Sequence, residues 1–199
     1  MANANTKKMN NYIPIDVPEG KSGEWEVKEF EVSERDSKFI NIRAAMKGRG
    51  YVPPGKYKYL KRRGETIMSN TPDEIMDFRH FTQIAGGTVL INGLGIGVVL
   101  KALLQKPEIK EVIVIEKSAD VIKLSAPTYT TDPRVTIINA DAFEYTPPKG
   151  KKYDYVWHDI WDYICADNLP EMKKLHLKYS RKTKYQDSWC KRECMRQSH

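Results

Sequence analysis

The chain between residues 88 and 159 alternates short, continuous apolar runs with segments that have a helical spacing of apolar residues. Continuous apolar runs are typical of parallel strands, which are covered on both faces, and the helices between them supply the crossovers. The pattern therefore predicts an α/β fold with a short, doubly wound parallel sheet of about four core strands. The predicted strands are TVLIN (88–92), EVIVIE (111–116), RVTIINAD (134–141) and YDYVWHD (153–159).

The segments on either side of this core have other patterns. EWEVKEFEV (24–32) predicts a strand, and YKYLKRRGETIM (57–68) predicts a β-hairpin that turns at Gly64. The sequence TPDE at 71–74 has the spacing of a capping box and predicts a helix over 71–83. We expect this N-terminal hairpin and helix to cover the mouth of the core.

The last forty residues predict two helices, NLPEMKKLHLKYS and SWCKRECMR, and show no further strand pattern. The whole chain is therefore expected to have three parts. These are a polar tail with a small β region at 1–70, the core at 71–165, and basic C-terminal helices at 166–199.

Charge is unevenly distributed along the chain, whose formal net charge is +7. Residues 47–63 carry seven Lys or Arg and no acid, and residues 169–199 carry nine against three acids. Such runs either form solvated faces or bind a polyanion, so nucleic acid is one candidate partner. The three cysteines fit neither a disulfide framework nor a zinc motif, so we expect no metal site and a reducing, cytoplasmic location.

Three glycines, Gly93, Gly95 and Gly97, stand at the predicted turn from the first core strand into a helix. Glycines at such a turn let a ligand approach the backbone and point helix N–H groups at it. The dinucleotide fingerprint G-x-G-x-x-G fits poorly, because Val98 occupies the position of its third small residue. The form G-x-G-x-G is instead typical of sites for S-adenosylmethionine, although structural glycines of any α/β turn have the same appearance.

Acids follow three of the predicted strands at their carboxyl ends: Glu116, Asp141 and Asp159. These ends meet at one edge of a parallel sheet, where open α/β folds bind ligands. A carboxylate at the second strand can accept ribose hydroxyls, and one after the third can accept an adenine amino group. The alternative is that each acid is an ordinary surface or capping residue.

Together these motifs resemble the core of class I S-adenosylmethionine-dependent methyltransferases, and most of all the spermidine synthase branch. The resemblance covers about 75 residues and is carried by VLINGLGIG, EVIVIEKSADVI, DPRVTIINADAFEY and KYDYVWHDIWD. It implies a Rossmann-like fold and S-adenosylmethionine, or its decarboxylated form, as cofactor. It also implies cofactor-binding roles for Gly93, Gly95, Gly97, Glu116, Asp141 and Ala142, and catalytic roles for Asp159 and Asp162.

The chain departs from the family pattern in two ways. Ile96 replaces an aspartate that helps to position the amine substrate in spermidine synthases, and Ile91 replaces an acid that is common in methyltransferases. The family also continues with three more strands, so the chain is expected to be shortened at the C-terminus. An open sheet edge would follow, and we expect either the N-terminal strands or a second copy of the chain to cover it; a homo-oligomer is the favoured outcome.

Three functions remain open from the sequence. The first is a methyltransferase of unknown small-molecule or macromolecular acceptor, in which Asp159 is the base, Asp162 holds the acceptor, and Trp157 and Trp161 form apolar walls. The second is an aminopropyltransferase that uses decarboxylated S-adenosylmethionine. The third is a non-catalytic nucleoside-binding module with basic surfaces. In either enzyme, repulsion and burial are expected to raise the pKa of at least one of the two aspartates toward neutrality.

Overall fold

The computed structural model describes residues 12–47 and 50–198, so the predicted polar tail at 1–11 lies outside the described residues. Two separate sheets organise these ranges, one antiparallel and N-terminal, the other parallel. The antiparallel sheet has the order β1-β2-β3-β4 and one helix, α1 (Glu34–Lys47), between its second and third strands. Its strands are β1 (Gly20–Ser22), β2 (Trp25–Val32), β3 (Gly55–Arg62) and β4 (Glu65–Ser69).

The predicted hairpin and the predicted strand at 24–32 are therefore confirmed. β2 and β3 pair in register, so that glutamates of β2 lie opposite lysines of β3, as in the pair Glu29 and Lys58. Opposite charges across a strand pair stabilise the register, which explains why this segment is rich in both signs. The hairpin turns through Arg63 and Gly64, both of which have positive φ.

The parallel sheet contains five strands in the order β7-β6-β5-β8-β9, which is the doubly wound order 3-2-1-4-5. The Rossmann-like α/β fold is thus confirmed, with one strand more than the sequence predicted. The strands are β5 (Gly87–Asn92), β6 (Ile109–Glu116), β7 (Val135–Asn139), β8 (Tyr153–His158) and β9 (Thr183–Ser188). The helices are α2 (Pro72–Ile84), α3 (Val98–Leu104), α4 (Ala119–Tyr129), α5 (Asn168–Tyr179) and α6 (Lys191–Arg196).

The C-terminal prediction is wrong in one respect, because TKYQDS forms β9 between the two predicted helices. β9 pairs in parallel with β8, so the open edge predicted beside β8 does not exist. The N-terminal strands do not pair with the parallel sheet either, but form a sheet of their own. The argument for a homo-oligomer from an open edge beside β8 therefore loses its basis, and a homo-oligomer stays a prediction.

The parallel sheet is covered on both faces, as its continuous apolar runs predicted. Val89 and Ile91 belong to the larger core cluster, which includes Phe81 of α2, whereas Leu90 belongs to a second cluster with Tyr179 of α5. All of these side chains are nearly inaccessible to solvent. None of the described helices is long and apolar enough to cross a membrane.

The winding of the sheet reverses between β5 and β8, and the two strands leave the sheet there in close contact. Asp159 N donates to Asn92 O at 2.8 Å, and Gly93 N donates to Ile115 O at 2.8 Å. Gly93 has φ +102°, and a Cβ added to it would lie 1.8 Å from the main-chain oxygen of Asp159. Only glycine fits this position without movement of one of the two loops.

We predict that Gly93→Ala lowers the free energy of unfolding more than Gly64→Ala does, by at least about 2 kcal/mol. Gly64 is a matched control, because its φ is +86° and a Cβ added to it would meet nothing within 4 Å. The control therefore measures only the cost of the positive φ, and the difference measures the clash with Asp159. Urea unfolding of the two variants tests this, and equal losses would contradict it.

Candidate functional site

A cavity of about 970 Å³ lies at the carboxyl edge of the parallel sheet, under the antiparallel sheet. The ends of β5, β6 and β8 and the turn that follows β7 contribute to its wall. The edge and the strand reversal are those at which doubly wound folds bind ligands, and the volume suits a small molecule. Five predicted site residues with side chains line it: Glu116, Asp141, Ala142, Asp159 and Asp162.

The three glycines differ in their position relative to the cavity. Gly93 and Gly95 line it, but Gly97 does not. Gly97 has φ +74°, and a Cβ added to it would lie 2.3 Å from the ring of Tyr129. The Tyr129 hydroxyl donates to Ile96 O at 2.7 Å, so this buried tyrosine of α4 holds the glycine turn in place. Gly97 thus shapes the turn, and only Gly93 and Gly95 line the cavity.

The position that carries an acid in spermidine synthases is closed to ligands here. The Ile96 side chain is buried in the core, and its N–H points at Met68 Sδ, 3.4 Å away. A Cβ added to Gly95 would lie 2.0 Å from the same sulfur. Met68 of β4 therefore rests on the glycine turn, and the antiparallel sheet roofs the cavity, as the sequence predicted for this hairpin.

Glu116 ends β6 and connects two loops beside the cavity. Its Oε2 accepts from Leu94 N of the glycine turn, and its Oε1 accepts from Ser118 N, both at 2.8 Å. Each carboxylate oxygen can accept a second hydrogen bond. The carboxylate is thus fixed in orientation and can still accept two ligand hydroxyls.

Asp141 follows β7 and faces the same cavity. Its Oδ1 accepts from Phe143 N at 2.8 Å, and its Oδ2 lies 2.9 Å from Lys117 Nζ. The bond from Lys117 holds the pKa of Asp141 below its usual range, so this carboxyl is ionised near neutral pH. Lys117 is largely exposed, and it can move aside for a ligand amino group.

Asp159 has the opposite electrostatic environment. Its pKa is raised to about 7, mainly by burial and in smaller part by the nearby acids Glu74 and Asp77, and only a long bond of 3.4 Å from Trp157 Nε1 lowers it. The expected shift toward neutrality is confirmed for this residue. Its cause was only partly predicted, because the repelling charges belong to α2 and not to Asp162.

Asp162 lies at the rim, where it meets the roof. Arg62 Nη1 of β3 lies 3.4 Å from Asp162 Oδ2, and the same guanidinium pairs with Glu24 and covers the ring of Trp25. The pair bridges the antiparallel sheet and the loop after β8. Its position at the closing edge of the cavity fits a group that holds an acceptor, and equally one that keeps the roof in place.

The sequence pattern missed three acids of α2 that line the cavity: Asp73, Glu74 and Asp77. Glu74 was assigned to a capping box, but Thr71 makes no side-chain capping bond, and Glu74 instead accepts from Ser69 N and Ser69 Oγ, both at 2.6 Å. Burial raises the pKa of Glu74 to about 7, against the effect of these bonds. A second acid of perturbed pKa therefore faces the region of Asp159.

Two aromatic predictions have different outcomes. Trp161 lines the cavity, and its indole N–H donates to Glu171 Oε2 at 2.8 Å. Trp157 instead packs in the core against Phe81 and is only 2% exposed, so the prediction that it forms a wall of the site is wrong. Its contribution is the single bond to Asp159.

His158 belongs to a buried polar network below the site. Its Nδ1 lies 2.8 Å from Asn92 Nδ2, and its Nε2 lies 3.1 Å from Gln186 Oε1. Burial lowers the pKa of His158 to about 3, so the ring is neutral. The network connects β5, β8 and β9 just under Gly93 and Asp159, and it gives His158 a structural role.

Comparison with known proteins gives resemblance to solved structures only. No family model and no curated protein matches the chain. Spermidine synthase from Thermotoga maritima aligns at 19% identity and TM-score 0.47 over 84% of this chain and 52% of its own. A putative RNA methyltransferase from Pyrococcus horikoshii aligns at 19% identity and TM-score 0.47, over 66% of this chain and 65% of its own. The chain thus spans about half the length of the first of these structures and about two thirds of the second.

We predict that Glu74→Gln stabilises the protein more at pH 8 than at pH 5. Because the pKa of Glu74 is raised on folding, the folded state keeps a proton that the unfolded chain releases between about pH 4.5 and 7. Stability from this carboxyl therefore falls as the pH rises through that window, and Gln removes the loss while it keeps the contacts to Ser69. Thermal unfolding at both pH values tests this; a variant that melts below wild type by more at pH 8 than at pH 5 would contradict it.

Proposed function

We propose that the chain is a methyltransferase that binds S-adenosylmethionine. The observation that supports this is the convergence of the glycine turn, Glu116, Asp141 and Asp159 on one cavity. Each of these groups lies at the end of a different strand. The strand order of the sheet brings them together, although they are far apart in the sequence. An ordinary capping role for all three acids does not explain why they share one cavity.

The residues present fit the proposed cofactor. The two free acceptor positions of Glu116 suit a pair of ribose hydroxyls, and Asp141 beside Ala142 suits an adenine amino group. Gly93 and Gly95 line the wall with their backbone, where the missing side chains let Asp159 and Met68 come close, and Gly97 acts through the shape of the turn. S-adenosylmethionine supplies a methyl group on a positively charged sulfur, which makes the carbon susceptible to attack.

Asp159 is the proposed base. A carboxyl with pKa near 7 is half ionised at neutral pH, so it can accept a proton from an acceptor and release it again to water. The indole of Trp157 holds one of its oxygens, which orients the carboxylate. Asp162 is proposed to hold the acceptor at the rim, in competition with its ion pair to Arg62.

The charge of the cavity favours an amine acceptor. Ten of its lining residues carry carboxyl side chains, whereas Arg62 and Lys117 are its cationic members. This surplus of acids attracts a cation and repels phosphodiesters, although the chain as a whole is basic. We therefore propose a small, protonated amine as the acceptor, in preference to a nucleic acid that enters the cavity.

The acidic lining of the cavity also fits a second enzyme activity. Decarboxylated S-adenosylmethionine lacks the carboxylate of the parent molecule and carries more positive charge, which an acidic cavity suits. Aminopropyl transfer to an amine is therefore the second candidate, as in the spermidine synthases that the sequence resembles. The buried Ile96, in place of their acid, favours methyl transfer.

A non-catalytic nucleoside-binding module is the remaining candidate. The cytoplasmic location and the division of the chain into three parts also stay predictions. The basic run at 47–63 gives little support to a nucleic-acid surface. Lys56 pairs with Glu29, Arg62 and Arg63 pair with Glu24, and Lys58 Nζ donates to Val17 O.

We predict that Asp159→Asn keeps the affinity for S-adenosylmethionine within about threefold and lowers methyl transfer to an amine by roughly 100-fold or more. With wild type, transfer should rise with pH through about 7 as Asp159 loses its proton. Transfer from radiolabelled S-adenosylmethionine to a panel of small amines measures the loss of activity and its dependence on pH. Asp167→Asn is the control, since Asp167 is exposed and does not line the cavity.

Joint loss of affinity and transfer would make Asp159 a cofactor ligand instead of a base. Unchanged transfer in Asp159→Asn would end the catalytic assignment. A wild-type protein that binds S-adenosylmethionine but transfers nothing to any amine would favour the binding module. Preference for decarboxylated S-adenosylmethionine in the same assay would favour aminopropyl transfer.

A further inference from the structure

A second, smaller cleft of about 410 Å³ lies at the amino ends of β8 and β9, at the sheet edge opposite the candidate site. Its lining contains four cationic side chains, from Lys152, Arg181, Lys182 and Lys184, and one carboxyl, from Asp154. We call it the amino-edge cleft. Nothing in the proposed transfer reaction uses it.

Most of the positive charge in this cleft has no acidic partner. Asp154 Oδ1 lies 2.6 Å from Lys184 Nζ, and Asp154 Oδ2 accepts from Thr88 N, so the carboxylate is already engaged. Lys152 donates to the main-chain oxygen of Arg181. Within residues 12–47 and 50–198, neither Arg181 nor Lys182 forms an ion pair.

Strand pairing holds these cations together. Tyr153 pairs with Thr183, and Tyr153 N donates to Lys182 O at 2.8 Å, so the bases that precede the two strands lie side by side. The backbone thereby brings Lys152 and Lys182 close to each other, and their positive charges repel. Bound counterions relieve that repulsion. A polyanion that replaces several bound counterions gains free energy by releasing them.

We propose that the amino-edge cleft binds the phosphodiester backbone of a nucleic acid. A concave, cationic cleft fits a chain of closely spaced phosphates better than it fits a flat anionic surface. Lys151, next to the cleft in the sequence, adds no unpaired charge, because its Nζ lies 2.6 Å from Glu111 Oε2. Three of the four bases of the cleft, Arg181, Lys182 and Lys184, belong to the basic C-terminal segment that the sequence indicated. In the other basic run, Lys56, Arg62 and Arg63 pair with acids.

This binding is separate from the transfer reaction. Six residues of a strand span about 20 Å, so a phosphate in the amino-edge cleft lies about that far from Asp159 and the acidic cavity. Nucleic acid in this cleft therefore anchors the protein or brings it to a site of action, and it is not the acceptor at the reacting end. The inference does not depend on which transferase activity is correct.

The test compares two triple substitutions in the full chain. The cleft variant is Lys152→Gln, Arg181→Gln and Lys182→Gln. The control is Lys28→Gln, Arg35→Gln and Lys38→Gln, which removes the same charge from exposed positions of the N-terminal region. Fluorescence anisotropy with a labelled 20-nucleotide single-stranded RNA should give at least a tenfold weaker affinity for the cleft variant and a change of less than threefold for the control.

Salt dependence gives a second measurement. The slope of log affinity against log salt concentration should fall by about 2 in the cleft variant, as expected for three lost contacts to single-stranded phosphates. The affinity of wild type for S-adenosylmethionine should stay within twofold when the RNA is present. Melting temperatures within a few degrees of wild type establish that both variants are folded.

Three results would overturn the proposal. Equal losses in the two variants would mean that RNA responds to net charge alone. Stronger, cleft-dependent binding to vesicles of phosphatidylserine and phosphatidylcholine than to RNA would assign the cleft to a lipid surface. Binding of inorganic phosphate without binding of RNA would assign it to a small anion.

Discussion

At the reversal of winding between β5 and β8, Gly93 lies against the main-chain carbonyl of Asp159, too close for any Cβ. This approach brings the glycine turn and the loop that carries Asp159 and Asp162 to one cavity. The hydrogen bond from Asp159 N to Asn92 O and the network around His158 keep the two strand ends at this distance. The antiparallel sheet rests on the same glycine turn through Met68.

Charge divides the parallel sheet into two ends of opposite character. The carboxyl edge opens into a cavity whose charged lining residues are mainly acids, and the amino edge carries the cationic cleft. A net charge of +7 describes neither end, so overall composition alone does not predict the charge of a ligand that the cavity binds. In the functions proposed above, a cationic small molecule binds at one edge and a polyanion at the other.

The sequence predicted those features that depend on a continuous local pattern. Parallel strands buried on both faces read as unbroken apolar runs, so β5, β6, β7 and β8 and the acids at their ends were found. β9 was missed because TKYQDS lies at the sheet edge, is largely half-buried and carries polar residues.

The predictions for Glu74 and Trp157 failed for a different reason. The spacing of Glu74 fits a capping box, but contact with Ser69 of the neighbouring sheet decides where its carboxyl goes. Trp157 precedes an acid at the cavity, but its own ring packs against α2. Both outcomes depend on tertiary packing between elements, which no local spacing encodes.

Calorimetric titration with S-adenosylhomocysteine and with its 2′-deoxy analogue tests the central claim, namely that the strand-end acids bind an adenosyl ligand. We expect wild type to bind S-adenosylhomocysteine with a dissociation constant in the micromolar range, about −8 kcal/mol, and the deoxy analogue about tenfold more weakly or worse. In Glu116→Ala the two ligands should bind equally and weakly, because the carboxylate that accepts the ribose hydroxyls is gone. Binding of NAD but not S-adenosylhomocysteine, or a Glu116→Ala variant that still distinguishes the two ligands, would contradict the account.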